Sequence, residues 1–353
     1  MTTATAPSPA APTAGTEPTI KDQAGKLVLQ IAGYIGYRTI KIGLDSGIYE
    51  AIARHPEGIG PSELAAELHL DPFYTEVWCR SAFGAETIDL AEGGRYVLAP
   101  HMASLLLDSG SPAQLGAAFV IFEQPEVFDR FSRTLATGER TWWDQTGPDF
   151  ISAVSGTGRG FNVRLIPGGF NQVPGLADRL TAGADVLELA CGAGIGLARL
   201  AETYPQCRIV GVDGDAYSLK LAAAKVAAAG LEQRVRLVES TLEDLALDDQ
   251  FDVVSINISL HEARDVDRVV EAVRRHLRPD GYFVVSDFPF PSSPEGLRTP
   301  PGRFMSGIQF FEAQIDDQLL PTEFFVELLR RHGFQDVGSV DLTPTHALTF
   351  GRR

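Results

Sequence analysis

The chain has 353 residues, 44% of them hydrophobic and 22% charged, enough apolar material for about two folded domains and too much for wholesale disorder. Lys and Arg number 30 against 46 Asp and Glu, a formal net charge of −16. A surface this acidic repels nucleic-acid phosphates and anionic lipid, so neither nucleic acid nor a membrane is an expected partner. Cys79, Cys191 and Cys207 are too few for a disulfide framework or a metal cluster. They read as reduced thiols of a cytoplasmic protein, and no metal site is expected.

Residues 1–20 are rich in Ala, Pro and Thr and carry no Lys or Arg. A secretory signal needs a basic start and an apolar stretch, so this segment reads as a disordered tail. No later run approaches the roughly 18 apolar residues of a membrane span.

Residues 21–110 read as a mostly helical domain. Leu27, Val28, Ile31, Tyr34, Ile35 and Ile42 recur at helical spacing. Pro61-Ser62-Glu63-Leu64 starts a second helix, and Asp71-Pro72 opens a third with Phe73, Val77 and Trp78 to one side. Gly93-Gly94 separates Ile88-Asp89-Leu90 from Tyr96-Val97-Leu98, a hairpin pattern. Helix, turn, helix, hairpin is the outline of a winged helix. A DNA-reading winged helix needs Lys and Arg for phosphates. Residues 61–98 instead set Glu63, Glu67, Asp71, Glu76, Glu86, Asp89 and Glu92 against Arg80 and Arg95. The expected role is therefore dimerisation, giving a homodimer through the N-terminal domain.

Residues 111–182 mix aromatics (Phe119, Phe122, Phe128, Phe131, Trp142, Trp143, Phe150, Phe161, Phe170) with glycines. They read as a helical linker that walls a substrate pocket. From residue 183 to 353, strand and helix patterns alternate. The strands are Asp185–Leu189, Arg208–Val212, Val235–Val238, Phe251–Ile256 and Tyr282–Ser286, with helices such as Asp215–Ala229 and Val266–His276 between them. This alternation predicts an α/β, doubly wound, Rossmann-like sheet. Such sheets bind ligands beyond the carboxyl ends of their strands, where strand order reverses.

The sharpest signal is the run Val186-Leu187-Glu188-Leu189-Ala190-Cys191-Gly192-Ala193-Gly194-Ile195-Gly196. An apolar strand enters a glycine loop, and glycines let backbone pass close to a ligand. A dinucleotide fingerprint would need another Gly at position 197, which is Leu197. Glu188 would repel a pyrophosphate, yet it suits a cationic ligand. Asp213-Gly214 ends the second strand, where a carboxylate can accept hydrogen bonds from ribose hydroxyls. The fourth strand runs into Ile256-Asn257-Ile258-Ser259-Leu260-His261-Glu262. Imidazole titrates near neutrality, so His261 is a candidate base; the alternative is a helix-start residue lining the cleft. His276, near a helix end, reads as capping or solvated. Phe288-Pro289-Phe290-Pro291 and Phe304–Phe311 read as pocket walls.

As a set, Glu188, Gly192, Gly194, Asp213, the Phe251-Asp252-Val253-Val254 strand and the Arg278-Pro279-Asp280-Gly281 turn resemble class I S-adenosylmethionine-dependent methyltransferases. The resemblance implies a seven-stranded sheet with its last strand, His346–Gly351, antiparallel after Asp336–Val340. It implies S-adenosyl-L-methionine as cofactor, with Gly192 and Gly194 under its methionine part and Asp213-Gly214 at the ribose. Thr241-Leu242 fall beside the adenine, where the family often has Asp and a small residue; Glu243 or Asp244 would compensate. Asn257 joins this cofactor set. In similar dimeric O-methyltransferases of small molecules, a His-Asp-Trp segment supplies the base; His261-Glu262-Ala263 matches its His. Gly160-Phe161-Asn162 resembles their Phe-Asn helix over the cofactor. The expected reaction is methyl transfer to a small, partly apolar acceptor, most readily at oxygen. The alternatives are N-, C- or S-methylation by positioning alone, or a cofactor-binding regulator without catalysis.

Overall fold

The computed structural model describes residues 17–141 and 143–353. The expected tail lies outside the described residues up to position 16, as does Trp142. The chain forms two compact units that divide after Ala99.

The first unit opens with α1 (Ile20–Asp45), so the helix begins inside the segment read as tail. Thr19 caps it: its Oγ1 accepts from the Asp22 N–H at 3.2 Å, and the Asp22 carboxylate accepts from the Thr19 N–H at 2.9 Å. The far end of α1 is anchored. The Trp78 indole N–H donates to the Thr39 carbonyl at 2.9 Å, and a Cβ on Gly43 would lie 2.4 Å from the Trp78 ring. Then follow α2 (Ile48–Ala53), α3 (Pro61–Leu68), α4 (Pro72–Gly84) and the hairpin β1 (Ile88–Leu90) with β2 (Tyr96–Leu98). Ile59 bridges to Tyr96, adding a third extended segment to the hairpin. This is the element order of a winged helix. Tyr49, Ile52, Leu64, Trp78 and Ile88 fill its core. Trp78 turns inward onto Tyr49, whereas Phe73 and Val77 stay exposed. The sequence expectation of one shared face fails because position 78 sits about 100° round the helix from position 77.

The second unit begins with α5 (Ala118–Ile121), α6 (Phe128–Thr134), α7 (Pro148–Val163) and α8 (Leu176–Thr181). They precede a seven-stranded sheet: β3 (Asp185–Leu189), β4 (Arg208–Asp213), β5 (Val235–Glu239), β6 (Phe251–Asn257), β7 (Leu277–Asp287), β8 (Gln335–Thr343) and β9 (His346–Arg352). Between them run α9 (Ile195–Thr203), α10 (Ala216–Ala228), α11 (Val266–His276), α12 (Pro294–Leu297), α13 (Pro300–Glu312) and α14 (Thr322–Arg331). The strand order is β5-β4-β3-β6-β7-β9-β8, and β9 runs antiparallel to both neighbours.

Alternation along the strands builds two cores. Val186, Val253 and Val284 face Leu180 of α8, Leu197 and Leu200 of α9 and Val226 of α10. Leu187, Val254 and Phe283 face Val270 and Val273 of α11 and Phe325 and Leu328 of α14. Both faces are covered, which is why these strands read as continuous apolar runs.

At the opposite end from the glycine loop, Asp252 ties the central strands. It accepts from the Asp185 N–H at 2.9 Å and from Arg278 at 2.8 Å, and it pairs with Arg179. Burial alone would raise its carboxyl, but these donors hold it below the usual range. The Arg278–Gly281 turn is a bulge inside β7: Phe251 faces Leu277 while Val253 faces Tyr282. His276 is neither solvated nor a cap. It is buried on the apolar stripe of α11, its Nδ1 bonded to the Ala272 carbonyl at 2.7 Å and its Nε2 accepting from the Leu247 N–H at 3.0 Å. No helix among the described residues is long and apolar enough to cross a membrane.

Candidate active site

Strand order reverses at β3, which has β4 on one side and β6 on the other. A cavity of about 900 Å³ opens beyond the carboxyl ends of these strands. The loop after β3 is shaped by left-handed backbone at Ala190 (φ +49°), Gly192 (φ +51°) and Gly194 (φ +74°). Gly194 heads α9, where a Cβ would lie 2.9 Å from the Ala222 side chain. Leu197 stands where a dinucleotide site has glycine. Here close helix–strand packing comes from the other partner, since a Cβ on Gly211 would lie 2.6 Å from Leu197.

Behind the loop, Glu188 is buried and its Oε2 has no hydrogen-bond partner among the described residues. Asn162 Oδ1, from α7, is likewise unpartnered. Both converge over Gly196: a Cβ there would lie 2.1 Å from Glu188 Oε1 and 2.7 Å from Asn162 Oδ1. Burial pushes the Glu188 carboxyl up to about 8. Two acceptors without a donor fit a ligand that brings donors and positive charge, such as an alkylammonium.

Asp213, at the end of β4, lines the cavity. Its Oδ2 accepts from the Gly192 N–H at 2.7 Å and its Oδ1 from the Asp215 N–H at 2.8 Å. Burial raises its carboxyl, partly offset by those donors. Gly192, Gly214, Thr241, Leu242, Asn257, Phe161 and Asn162 also line the cavity, whereas Gly194, Glu188 and His261 sit just behind its wall. Both candidate stand-ins near Thr241 are engaged: the Glu243 carboxylate accepts from the Arg264 N–H at 3.0 Å, and Asp244 pairs with Arg268 at 2.6 Å.

Asn257 is oriented by a directed chain. Arg164 Nε donates to His346 Nδ1 at 3.2 Å, so His346 Nε2 carries the proton and faces Ser286 Oγ at 2.6 Å. Ser286 in turn donates to Asn257 Oδ1 at 2.6 Å. Burial and the Arg164 charge lower His346 to about 3, keeping it neutral. With its oxygen held, Asn257 presents its amide N–H groups to the cavity. Phe161 packs edge-on against Phe288 at 5.0 Å and against His346 at 4.7 Å.

His261 follows a turn in which Ile258 adopts φ +56°, rare for a β-branched residue, while its N–H donates to the Ser286 carbonyl at 2.7 Å. The ring is fully buried. Nδ1 lies 2.8 Å and 3.0 Å from the two Asp287 carboxylate oxygens. Among the described residues Nε2 has no hydrogen-bond partner; it sits 3.8 Å from Glu312 Oε2, which also has none there. Ligand atoms of His261, Glu262 and Glu312 all lie within 4.8 Å of one another. Burial alone would lower the imidazole, but the Asp287 and Glu312 carboxylates outweigh it and raise it well above 6.5. With Nδ1–H donated to Asp287, the neutral ring offers its lone pair at Nε2, the tautomer a base needs.

Sequence reading did not single out Asp287, Glu312 or Asp317. Asp287 ends β7, one place past the expected strand, and a strand's carboxyl end was the available signal. Glu312 closes α13, one place past the stretch Phe304–Phe311 read as apolar wall. Of that wall, Phe288, Ile308 and Phe311 line the cavity, while Phe290 and Phe304 back it.

Residues 186–281 match a family described as a methyltransferase domain. A methyltransferase of Synechocystis of uncharacterised role is 30% identical over 168 residues, 47% of this chain and 73% of that protein. The demethylmenaquinone methyltransferase of Lactobacillus johnsonii is 26% identical over 173 residues, 45% of this chain and 71% of that one. The solved structure of an O-methyltransferase family protein from Burkholderia thailandensis superposes with a TM-score of 0.67 at 19% identity, covering 94% of this chain and 98% of that one. Fold and site thus define an enzyme of methyl transfer. The chain belongs to the class I S-adenosylmethionine-dependent methyltransferases, and S-adenosylmethionine is its cofactor.

Proposed function

We propose that the enzyme methylates a hydroxyl oxygen of a small, largely apolar acceptor, with His261 as the base. The observation that carries this reading is the buried Asp287–His261–Glu312 set at the cavity wall. When bound, the cofactor supplies an electrophilic methyl group on a sulfonium leaving group. Gly192 and Gly194 let the backbone pass beneath its methionine part. Glu188 and Asn162 would hold the ammonium, and Asp213 with Gly214 the ribose. Thr241 and Leu242 would flank the adenine, Asn257 would donate to the cofactor, and Phe161 would cover it. An acceptor hydroxyl about 2.8 Å from His261 Nε2 would donate its single O–H to the orphaned lone pair there. Nε2 then takes the hydroxyl proton, and Asp287 stabilises the imidazolium that forms. A phenol, with a pKa near 10 like tyrosine, gains from such a base once the ring is neutral. The test is transfer of isotopic label from the cofactor's methyl group to a panel of phenols, their methyl ethers and the matching anilines. Label is expected on the phenols and absent from the ethers. Transfer to nitrogen or carbon alone would replace the oxygen reading with methylation by positioning.

The protein is further read as a cytoplasmic homodimer. Its three cysteines are free and buried, which suits a reducing compartment. In the first unit, Leu27 (67% exposed), Val28 (61%), Ile31 (60%), Tyr34 (63%) and Ile35 (53%) leave α1 uncovered, with Phe73 and Val77 exposed on α4. Apolar surface on that scale marks an interface. Light scattering at micromolar concentration is expected to give twice the chain mass, and a Leu27→Glu/Ile31→Glu double variant about one chain mass. A monomeric wild type ends this reading.

A further inference from the structure

The chamber wall carries more acid than one proton transfer uses. Glu262, Glu312 and Asp317 all line it, among Trp143, Phe150 and Phe311. Glu312 is 4% exposed and its Oε2 is unpartnered. Of the cations nearby, His261 sits behind the wall, its one charge spread over Asp287, Glu312, Glu262 and Asp317, and Arg264 adds to it at Asp317, so four acids share little positive charge. Burial and mutual repulsion push Glu262 well above the usual carboxylate range and Asp317 up to about 7. Carboxylates crowded together out of water are costly unless a cation joins them. The aromatic rings beside them add faces that attract a cation. Trp143, Phe150 and Phe311 pack against one another with ring centroids 4.6 to 6.2 Å apart, so these faces are held in place.

We propose that the acceptor carries a protonated amine besides its hydroxyl, and that Glu312, Glu262 and Asp317 seat this ammonium against the aromatic wall. The inference rests on reading the cavity as the acceptor chamber. It adds a charge requirement: the hydroxyl goes to His261, the ammonium to the carboxylates, and an acceptor carboxylate is repelled. Asp317, half-buried on the loop after α13, is then a specificity residue that touches no reacting atom.

The experiment is calorimetric titration of the full chain, saturated with S-adenosylhomocysteine, with three phenols of similar size: tyramine, 4-ethylphenol and 3-(4-hydroxyphenyl)propionate. Tyramine is expected to bind at least about tenfold more tightly than 4-ethylphenol, and the propionate more weakly than either. Asp317→Asn should bring tyramine toward the neutral phenol and leave 4-ethylphenol unchanged, and Glu312→Gln should lower tyramine affinity more than that of 4-ethylphenol. Asp317→Asn, at a half-buried loop position, guards against a variant that fails to fold. Equal affinities, a preference for the anion or no saturable tyramine binding would overturn the proposal. So would stoichiometric binding of Mn²⁺ or Zn²⁺ that Glu312→Gln abolishes, which would assign the acids to a metal. Equal affinities with intact S-adenosylhomocysteine binding would sink the amine alone; a wild type that binds no S-adenosylhomocysteine would sink the cofactor-site reading beneath it.

Discussion

His261→Ala is expected to lower turnover on a hydroxyl acceptor by about 10²–10⁴-fold, the usual contribution of a positioned base. Affinity for S-adenosylhomocysteine should change little, because no proposed cofactor residue bonds to the imidazole. The pH profile carries the sharper test. Only the neutral ring accepts a proton, and Asp287 with Glu312 raises its pKa well above 6.5. Wild-type kcat/KM should therefore rise with pH through a limb lying above 6.5, and fall as the ring becomes protonated below it. In Asp287→Asn the carboxylate on Nδ1 is gone and burial pulls the pKa down, so the limb should move to lower pH while the maximum rate drops. In His261→Ala the limb should vanish. Identical profiles for wild type and His261→Ala, or a loss under about tenfold, would demote His261 to a buried structural residue.

What the sequence disclosed of this site follows distance along the chain. Glu188, Gly192 and Gly194 share one strand-loop-helix, and Asp213 ends the neighbouring strand, so local pattern sufficed. Strand β3 was legible to the residue because apolar side chains are required on both its faces. The acid pair around His261 was not legible: Asp287 is 26 residues away and Glu312 lies on α13, and only folding brings them together. His276 misled for a related reason. A basic residue in a helix's last turn ordinarily reaches solvent, but Val269, Val273 and His276 fall on one stripe of α11 and are buried together. The aromatic-rich segment showed its composition without its partners. Phe150 packs tilted and Trp143 edge-on against Phe311 of α13, a pairing no periodicity announces. The apolar stripe of α1 was plain, yet its residues stay exposed within the first unit. Amphipathic pattern reports that a face seeks cover and is silent on what covers it.

Asp213→Ala is expected to weaken S-adenosylhomocysteine binding by about 10- to 150-fold, the equivalent of losing charge-assisted hydrogen bonds worth about 1.5–3 kcal/mol. The residue has two tasks. It offers lone pairs to the ribose, and it holds the glycine loop through the Gly192 N–H at 2.7 Å. Asparagine repairs neither task well. Both carboxylate oxygens already accept a backbone N–H, Oδ2 from Gly192 and Oδ1 from Asp215, so an amide must turn its NH₂ against one of those donors. Asp213→Asn should therefore lose nearly as much affinity as Asp213→Ala, although it changes only one atom. Glu188→Gln should behave differently. Burial already pushes that carboxyl up to about 8, so in the empty site it is largely protonated at neutral pH and its replacement leaves stability nearly unchanged. The cofactor's ammonium is what would draw its proton off, so the cost of Glu188→Gln should appear in affinity rather than in the melting temperature of the free protein. Calorimetry of the three variants beside their melting curves separates the roles. Unchanged affinity in Asp213→Ala would remove the ribose assignment, and a Glu188→Gln protein that loses melting temperature while keeping affinity would make that carboxyl a support of the loop instead of a partner of the cofactor.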